Sequence, residues 1–173
     1  MRKVILNLAV SLDGFIEGPK GEFDWCFDDQ DYGMEEFMSR IDTILIGRKS
    51  YEVLMQQFEN RNPFSDKMTY VFSQTIQSTD PKTVVLKGNV EQEVKEILKR
   101  PGKDLWLFGG ANLVTAFMKA ELVDELWLAV HPLLLGSGKP LFQGITERIP
   151  LNLVTTKTYS SGLVQMFYGR KEK

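Results

Sequence analysis

Short apolar runs alternate with amphipathic segments along most of the chain, and this alternation limits the folds that are open to it. Continuous apolar runs of this length are typical of strands buried on both faces of a sheet. Strands that alternate with helices usually pair in parallel, with the helices packed on the faces of the sheet. The predicted strands are "KVILNLAV", "TILIG", "KMTYVFS", "TVVLKG", "DLWLFGG" and "DELWLAVHP", and the predicted helices are "GMEEFMSRI", "RKSYEVLMQQF", "VEQEVKEILKR" and "ANLVTAFMKAEL".

The C-terminal part changes character, because "LNLVTTKTYSSGLVQMFYGRK" alternates residue types around a Ser-Ser-Gly turn. This pattern predicts a β-hairpin that adds antiparallel strands to one edge of the sheet. The 173 residues contain no repeat and no linker, and the length suits one domain with a substantial core. We therefore predict a single α/β domain over residues 1–173, in which a mixed, mostly parallel sheet lies between two helical layers.

The composition argues against several classes of partner. A net charge of −2 gives no electrostatic reason to expect nucleic acid or an anionic membrane. No run is long and apolar enough to span a bilayer. Cys26 is the only cysteine and His131 the only histidine, so neither an intramolecular disulfide nor a clustered metal site is expected. The sequence thus predicts a cytoplasmic protein that binds no metal, nucleic acid or membrane.

The junction "ILIGRKSYE" combines features of an anion site. Gly47 ends a predicted strand, and Arg48, Lys49 and Ser50 open the helix that follows. Backbone N–H groups at a helix start are unpaired and carry partial positive charge, which two cations would reinforce. The alternative is that both cations are solvated surface charges and that Gly47 only forms a turn.

Two further junctions lie at the ends of predicted strands, where α/β sheets bind their ligands. In "LFGGANLV", Gly109 and Gly110 remove two side chains, which would let a diphosphate approach the backbone closely. A sharp turn without a ligand would explain the pair equally well. In "YVFSQT", Ser73 could donate to a phosphate or a ribose, although serine at this position is usually a turn residue.

These pieces follow one another as they do in the dihydrofolate reductase-like superfamily, which the chain resembles over most of its length. The matching stretches are "AVSLDGFI", "ILIGRKSYE", "YVFS", "LFGGANLVTAFMKAELVDELWLAVHPLLLGSGKPLF" and "FYGRK". Of these, "SLDG" and "LVDELWL" with "PLLLGSGKPLF" are most similar to the reductase domain of riboflavin biosynthesis. The resemblance implies that NADPH, the hydride donor, lies across the carboxyl ends of the strands.

The resemblance also implies which residues hold the cofactor. The paired glycines and the two residues after them would cradle the diphosphate, and the cations after Gly47 would meet the 2′-phosphate. The end of the first predicted strand and Ile16 in the loop after it would border the nicotinamide. The implied cofactor-binding residues are Ala9, Val10, Ile16, Gly47, Arg48, Lys49, Ser50, Ser73, Phe108, Gly109, Gly110, Ala111, Asn112 and Leu113.

The chain departs from its relatives where the substrate would bind. Riboflavin-type reductases tend to carry a polar residue two positions before a tryptophan and an acid before the glycine turn, where this chain has Phe23 and Phe108. Dihydrofolate reductases carry an acid five residues after the tryptophan, where Gln30 follows Trp25. Aromatic side chains therefore stand in two places where these relatives have polar groups.

Three rings alternate along "FDWCF", and in an extended loop Phe23, Trp25 and Phe27 would share one side. Beside a nicotinamide they would form an apolar wall for a flat heterocycle, and this combination favours a pterin-like ring over a phosphorylated sugar. Burial of the rings as ordinary core is the alternative.

The acids that follow these rings are candidates for the proton donor. We expect that Asp28, Asp29 or Asp31 supplies the proton, unless water does. The alternative is that the acidic run is a solvated helix start, where carboxylates complement the helix dipole. His131, which precedes Pro132 at the end of a predicted strand, is interpreted as structural.

The sequence leads to two hypotheses of different classes. The first is an NADPH-dependent reductase of a small heterocycle, either a riboflavin-pathway ribosylamino-pyrimidine or a pterin such as dihydrofolate. The second is a non-catalytic NADP(H)-binding protein whose substrate pocket is degenerate. The apolar surplus of "LWLAVHPLLLGSGKPLF" also predicts a homodimer, as related reductases commonly pair through this region.

Overall fold

Ten strands and four helices form the fold, which a computed structural model describes for residues 1–78 and 80–171. The strands are Val4–Ser11 (β1), Phe15–Glu17 (β2), Ile41–Gly47 (β3), Met68–Phe72 (β4), Thr83–Leu86 (β5), Asp104–Gly109 (β6), Glu125–His131 (β7), Lys139–Pro140 (β8), Leu151–Thr158 (β9) and Val164–Arg170 (β10). The helices are Met34–Arg40 (α1), Arg48–Gln57 (α2), Val90–Leu98 (α3) and Ala111–Lys119 (α4).

Eight of the strands form one sheet in the order β5-β4-β3-β6-β1-β7-β10-β9. The six strands from β5 to β7 are parallel, β10 runs antiparallel to β7, and β9 runs antiparallel to β10. The predicted mixed, mostly parallel sheet with a C-terminal antiparallel hairpin at its edge is therefore confirmed.

Helices cover both faces of the sheet and divide the core into two parts. On one face α3 and α4 pack against the sheet through fully buried side chains such as Val94 and Phe117. On the other face α1 and α2 do so through Phe37 and Leu54. Burial of each such side chain stabilises the fold by about 1.5–3 kcal/mol, so the periodic apolar residues account for the three layers. Within the described residues, no helix is long and apolar enough to cross a membrane.

A second, two-stranded sheet was not expected from the sequence. β2 and β8 pair antiparallel, and the Lys139 ammonium lies 3.0 Å from the Glu17 carboxylate beside them. Strands of two and three residues are too short to produce a readable periodicity. The small sheet joins the loop that follows β1 to the loop that follows β7, so both loops are held together at the carboxyl edge of the large sheet.

Candidate functional site

The two central strands separate at the carboxyl edge of the sheet. β1 pairs with β6 only over Val4–Leu6, whereas it continues beside β7 as far as Ser11. Past the end of the ladder the indole N–H of Trp106 donates to the Asn7 carbonyl at 2.8 Å, which satisfies a backbone group that β6 no longer reaches. A gap between neighbouring parallel strands at this edge is where α/β sheets bind ligands.

Two of the predicted junctions meet beside this gap. Gly47 ends β3 and Gly109 ends β6, and the strands pair in parallel with Ile46 opposite Gly109. A Cβ atom on Gly47 would lie 3.5 Å from the Gly109 carbonyl oxygen and 3.6 Å from the Gly110 nitrogen. A Cβ atom on Gly110 would lie 2.9 Å from the Ser50 hydroxyl. The glycines therefore leave bare backbone on two adjacent loops, with a cis peptide between Gly109 and Gly110.

The helices that start at these glycines lack side-chain caps. Gly47 and Gly110 occupy the N-cap positions of α2 and α4, and no side chain accepts a hydrogen bond there. α1 also begins after a glycine, Gly33, but the Asp31 carboxylate two residues before it accepts from the first amides of that helix, and the Asn89 side chain accepts from the Gln92 amide of α3. Two uncapped N-termini on adjacent loops offer several free N–H donors to one anion.

The cations of the first junction lie where the sequence predicts, on the first turn of α2. Arg48 is half-buried and Lys49 is exposed. The Arg48 guanidinium lies 3.0 Å from the Glu52 carboxylate, one turn along the same helix. An exposed pair of this kind contributes only about 0.3–0.5 kcal/mol, so it would not prevent Arg48 from turning to a phosphate.

Other predicted cofactor residues have contacts within the protein. The Ser73 hydroxyl accepts from the amides of Thr75 and Ile76, so it stabilises the turn after β4, as serine usually does at such a place. The Asn112 side chain accepts from Gln143 and is exposed. Buried Ala111 and Leu113 fix the first turn of α4 in the core.

The residues predicted to border the nicotinamide lie on and after β1. Ala9 is half-buried on the part of β1 that β6 no longer pairs, and Val10 is buried in the core beneath it. Ile16 lies in β2 and packs against the same core. Phe108 contacts Trp106, with ring centroids 4.9 Å apart, on the β6 side of the gap.

The aromatic segment is not extended, so the conformation on which a common side for its three rings depended is wrong. The Cys26 amide donates to the Phe23 carbonyl at 3.1 Å and closes a turn. Trp25 and Phe27 both pack edge-on against the His131 ring, at 5.2 and 4.9 Å between centroids. Phe23 is exposed and is separated from them by the turn.

His131 anchors this segment, in agreement with its structural interpretation. Its Nε2 accepts from the Phe27 amide at 3.0 Å, and its Nδ1 lies 3.0 Å from the Ala129 carbonyl. These partners are consistent with a neutral ring that carries its proton on Nδ1. Burial lowers the pKa of His131 below its ordinary value, which favours the same neutral form.

Two of the three candidate acids have structural partners. Asp31 caps α1, and Asp29 accepts from the Tyr32 hydroxyl at 2.7 Å. Asp28 is exposed. Asp31 therefore has the helix-start role of the alternative interpretation, and Asp28 is the member with the fewest structural constraints among the described contacts.

Sequence reasoning missed Asn7, which is the polar residue inside the first apolar run. Its side chain is 9% exposed, and its amide nitrogen lies 3.7 Å from the Met34 sulfur. The described residues offer the side chain no nitrogen or oxygen partner. A buried amide without such a partner is uncommon, and it stands where β1 and β6 separate. An asparagine within "VILNLAV" was the readable signal.

The described residues contain no group of three His, Cys, Asp or Glu side chains that could hold a metal. Burial raises the pKa of the Cys26 thiol to about 11, so this thiol is protonated at neutral pH. The site consequently consists of backbone donors, cations, aromatic rings and amides.

A central parallel sheet of this order, covered by helices and closed by an antiparallel hairpin, defines the dihydrofolate reductase-like α/β fold. The profile of the RibD C-terminal domain matches residues 2–165, and the chain belongs to that family. Two uncharacterized proteins of Bacillus subtilis are similar to it over nearly their whole lengths. YyaP is 47% identical, over 96% of this chain and 94% of its own, and YwjB is 36% identical, over 98% of each.

Solved structures support the same assignment. A Shewanella protein (strain PV-4), provisionally assigned to riboflavin biosynthesis, superposes with a TM-score of 0.86 at 26% identity, over 99% of this chain and all of the other. The Thermotoga maritima diaminohydroxyphosphoribosylaminopyrimidine deaminase/5-amino-6-(5-phosphoribosylamino)uracil reductase superposes with a TM-score of 0.76 at 17% identity, over 98% of this chain and 57% of the other. At 17% identity, the similarity to the Thermotoga maritima enzyme shows a shared fold alone.

Proposed function

We propose that this protein is an NADPH-dependent reductase of a small heterocycle. The observation that carries the proposal is the meeting of two uncapped helix N-termini at Gly47 and Gly110, beside the gap between β1 and β6. Free N–H donors on bare backbone suit a diphosphate, and the cations of α2 suit a further phosphate. Reductase domains of the RibD C-terminal family generally use NADPH, which agrees with this donor set.

In this proposal the chain binds the cofactor, orients its nicotinamide ring and shields the substrate from water, while the cofactor supplies the hydride. The amides that begin α2 and α4 bind the diphosphate, and Arg48 and Lys49 bind the 2′-phosphate. Ala9 borders the nicotinamide ring where β1 is unpaired. Trp25 and Phe27 exclude water from the substrate side of the gap. Asp28 is the candidate proton donor, because Asp29 and Asp31 have structural partners, and water is the other source.

A second candidate, a non-catalytic NADP(H)-binding protein, is favoured by the structural roles of Asp29 and Asp31. The two functions differ in turnover. A reductase should consume NADPH steadily with at least one member of a panel of dihydropterins, dihydrofolate and aminopyrimidine ribosides. Tight NADPH binding without consumption across the panel would favour the second candidate.

The cofactor assignment is tested by comparing NADPH with NADH. We expect NADPH to raise the melting temperature more, and Arg48→Ala to reduce the difference. Lys95→Ala is the matched control, because Lys95 forms a similar pair one turn from Glu91 on α3, away from the gap. Equal shifts with both cofactors in the wild-type protein would contradict the assignment of the cations.

We also propose that the protein acts in the cytoplasm as a homodimer, with an interface different from the segment singled out in the sequence. In that segment Leu126 and Leu141 are each 1% exposed, and its exposed large side chains, Leu134 and Phe142, are not part of a strand edge. The hairpin is the better candidate, because β9 is an open edge on which Leu153 and Val154 are 57% and 70% exposed.

An open edge with a single charge and no proline invites pairing. A second copy fits it, because two β9 strands paired antiparallel about a twofold axis contribute the same surface to the interface. Light scattering at micromolar concentration should give a dimer, and Val154→Lys should shift it to a monomer. A monomeric wild-type protein would exclude the proposal.

A further inference from the structure

The segment 12–33 gives the gap an unusual charge. It contains seven carboxylates and a single lysine, Lys20, for a net charge of −6 within a chain whose total is −2. It begins at the end of β1 and is fixed to the end of β7, because the Leu12 amide donates to the Leu133 carbonyl and the Phe27 amide donates to His131. The acidic segment is therefore held at the carboxyl ends of β1 and β7.

Local partners do not neutralise this charge. Glu17 forms an ion pair with Lys139, but Asp13 accepts only neutral donors, from Ser11 and the amides of residues 135 and 136. These donors, the Ser11 hydroxyl foremost, lower the pKa of Asp13 and keep it charged at neutral pH. Asp24 and Asp28 are exposed to solvent.

The opposite end of the gap has the other sign. Arg48 and Lys49 lie on α2, next to two helix N-termini that carry partial positive charge. The two sides of the gap therefore differ in charge, because the side of α2 and α4 is suited to phosphates and the acidic segment repels them. Charges within about 10 Å interact through water at ordinary ionic strength, so the repulsion acts across the width of a small ligand.

One polar atom near the acidic segment lacks a partner among the described residues, and one buried amide has only a sulfur partner. The Asn7 amide is nine-tenths buried beside the Met34 sulfur, at the point where β1 and β6 separate. The indole Nε1 of Trp25 is buried, and no described residue accepts from it. An amide supplies both a donor and an acceptor, and an indole supplies a donor, which together match the edge of a planar heterocycle. Neither group requires a charged ligand.

We propose that the substrate is an uncharged planar heterocycle that carries no phosphate, a refinement that rests on the reductase function proposed above. The polar edge of the ring meets Asn7 and Trp25, its face packs on the aromatic segment, and the acidic segment excludes phosphate esters of the same ring.

The test compares one ring with and without its phosphate. 5-Amino-6-ribosylaminouracil and its 5′-phosphate are titrated into the protein by calorimetry, both with saturating NADPH and without it. A dihydropterin serves as a second uncharged ring. We expect at least one uncharged ring to bind at least about tenfold more tightly than the phosphate ester, with a smaller ratio at high salt.

Charge variants separate the electrostatic cause from shape. D24N/D28N should reduce the ratio several-fold, whereas E91Q/E96Q, which removes two exposed carboxylates from α3, should leave it unchanged. Asn7→Leu should weaken the uncharged rings and leave NADPH affinity as it is. Equal or tighter binding of the phosphate ester would overturn the proposal, as would the absence of binding by every uncharged ring.

The two titration series keep the two proposals distinct. If NADPH itself does not bind, the reductase function fails, and the titrations without cofactor still decide whether the site prefers an uncharged ring. If NADPH binds and the phosphate ester is preferred, the reductase function stands and the substrate class is wrong.

Discussion

Gly47→Ala separates a glycine that serves a ligand from a glycine that serves a turn. Gly47 has φ −79° and ψ 156°, which alanine adopts without strain. The added methyl would make ordinary contacts with its nearest neighbours, which are the Gly109 oxygen at 3.5 Å, the Gly110 nitrogen at 3.6 Å and the Leu113 Cβ at 3.8 Å. The folded chain therefore has room for this substitution.

The expected change in stability is small. Alanine is a poorer N-cap residue than glycine, but it also reduces the conformational entropy of the unfolded chain, which favours folding by about 0.4–1 kcal/mol. These effects oppose each other, so the free energy of unfolding should change by less than about 1 kcal/mol. If Gly47 serves only a turn, this small change in stability is the only effect of the substitution.

The expected change in cofactor binding is large. The methyl would stand over the backbone that the diphosphate is proposed to contact, and the loss of one or two charged hydrogen bonds costs about 1.5–3 kcal/mol each. NADPH affinity should then fall by about 10- to 100-fold or more. At 100 times the wild-type Kd, stabilisation would drop from about 2.7 kcal/mol to about 0.4 kcal/mol for a 100-fold loss.

Thermal shift measures both changes in one experiment. For a chain of this size the NADPH-induced shift should fall from about 5–11 °C to about 1–2 °C, while the melting temperature without cofactor stays near that of the wild type. Gly169→Ala, on β10, is the matched control. Its added Cβ would also make an ordinary contact, 3.7 Å from the Val154 side chain on β9. A Gly47→Ala protein that binds NADPH with wild-type affinity would refute the assignment of the cradle.

Three further outcomes are expected. Asp31→Ala should lower the free energy of unfolding by about 1 kcal/mol, since it removes the acceptor for the first amides of α1, and Asp31→Asn should recover most of this in chemical denaturation. The single histidine should titrate by NMR below pH 6.5, because burial depresses its pKa; its neutral form should carry the proton on Nδ1, and a pKa at or above 6.5 would contradict the proposed anchor. Stability should consequently decline as the pH falls from 6.5 toward the folded-state pKa of His131, where only the unfolded chain takes up the proton, and His131→Gln should flatten this slope in urea titrations.

The order of strands and helices could be predicted because each element carries its own periodic signal. The apolar runs that predict β1, β3 and β6 are each contained in one short stretch of sequence. α2 and α4 begin where glycines end β3 and β6. What local pattern does not contain is the place of β6 between β3 and β1, which brings Gly47 against Gly110. That neighbourhood was expected only because the chain resembles a known superfamily.

The aromatic segment shows where local reasoning fails. The alternation in "FDWCF" is typical of an extended strand, but the structure has a turn between Phe23 and Cys26. The contact that fixes the segment is the hydrogen bond from the Phe27 amide to His131, a residue 104 positions further along the chain. A histidine before a proline gives no local sign of such a partner, so its anchoring contacts could not be read from the sequence.

The sequence already contained the difference between helices whose first amides have a side-chain acceptor and helices whose first amides do not. α1 and α3 have side chains that accept from their first backbone amides, Asp31 two residues before the glycine N-cap of α1 and Asn89 at the N-cap of α3, and such residues are the ordinary solution to the unpaired donors of a helix. α2 and α4 start after glycine and are followed by "RKS" and "ANL", which supply no acceptor at the N-cap. A helix start without a cap costs stability unless water or a ligand satisfies its donors. Because the two uncapped helices follow adjacent strands and the capped ones do not, the free donors converge on one place, and an anion there is the simplest reason for the pattern.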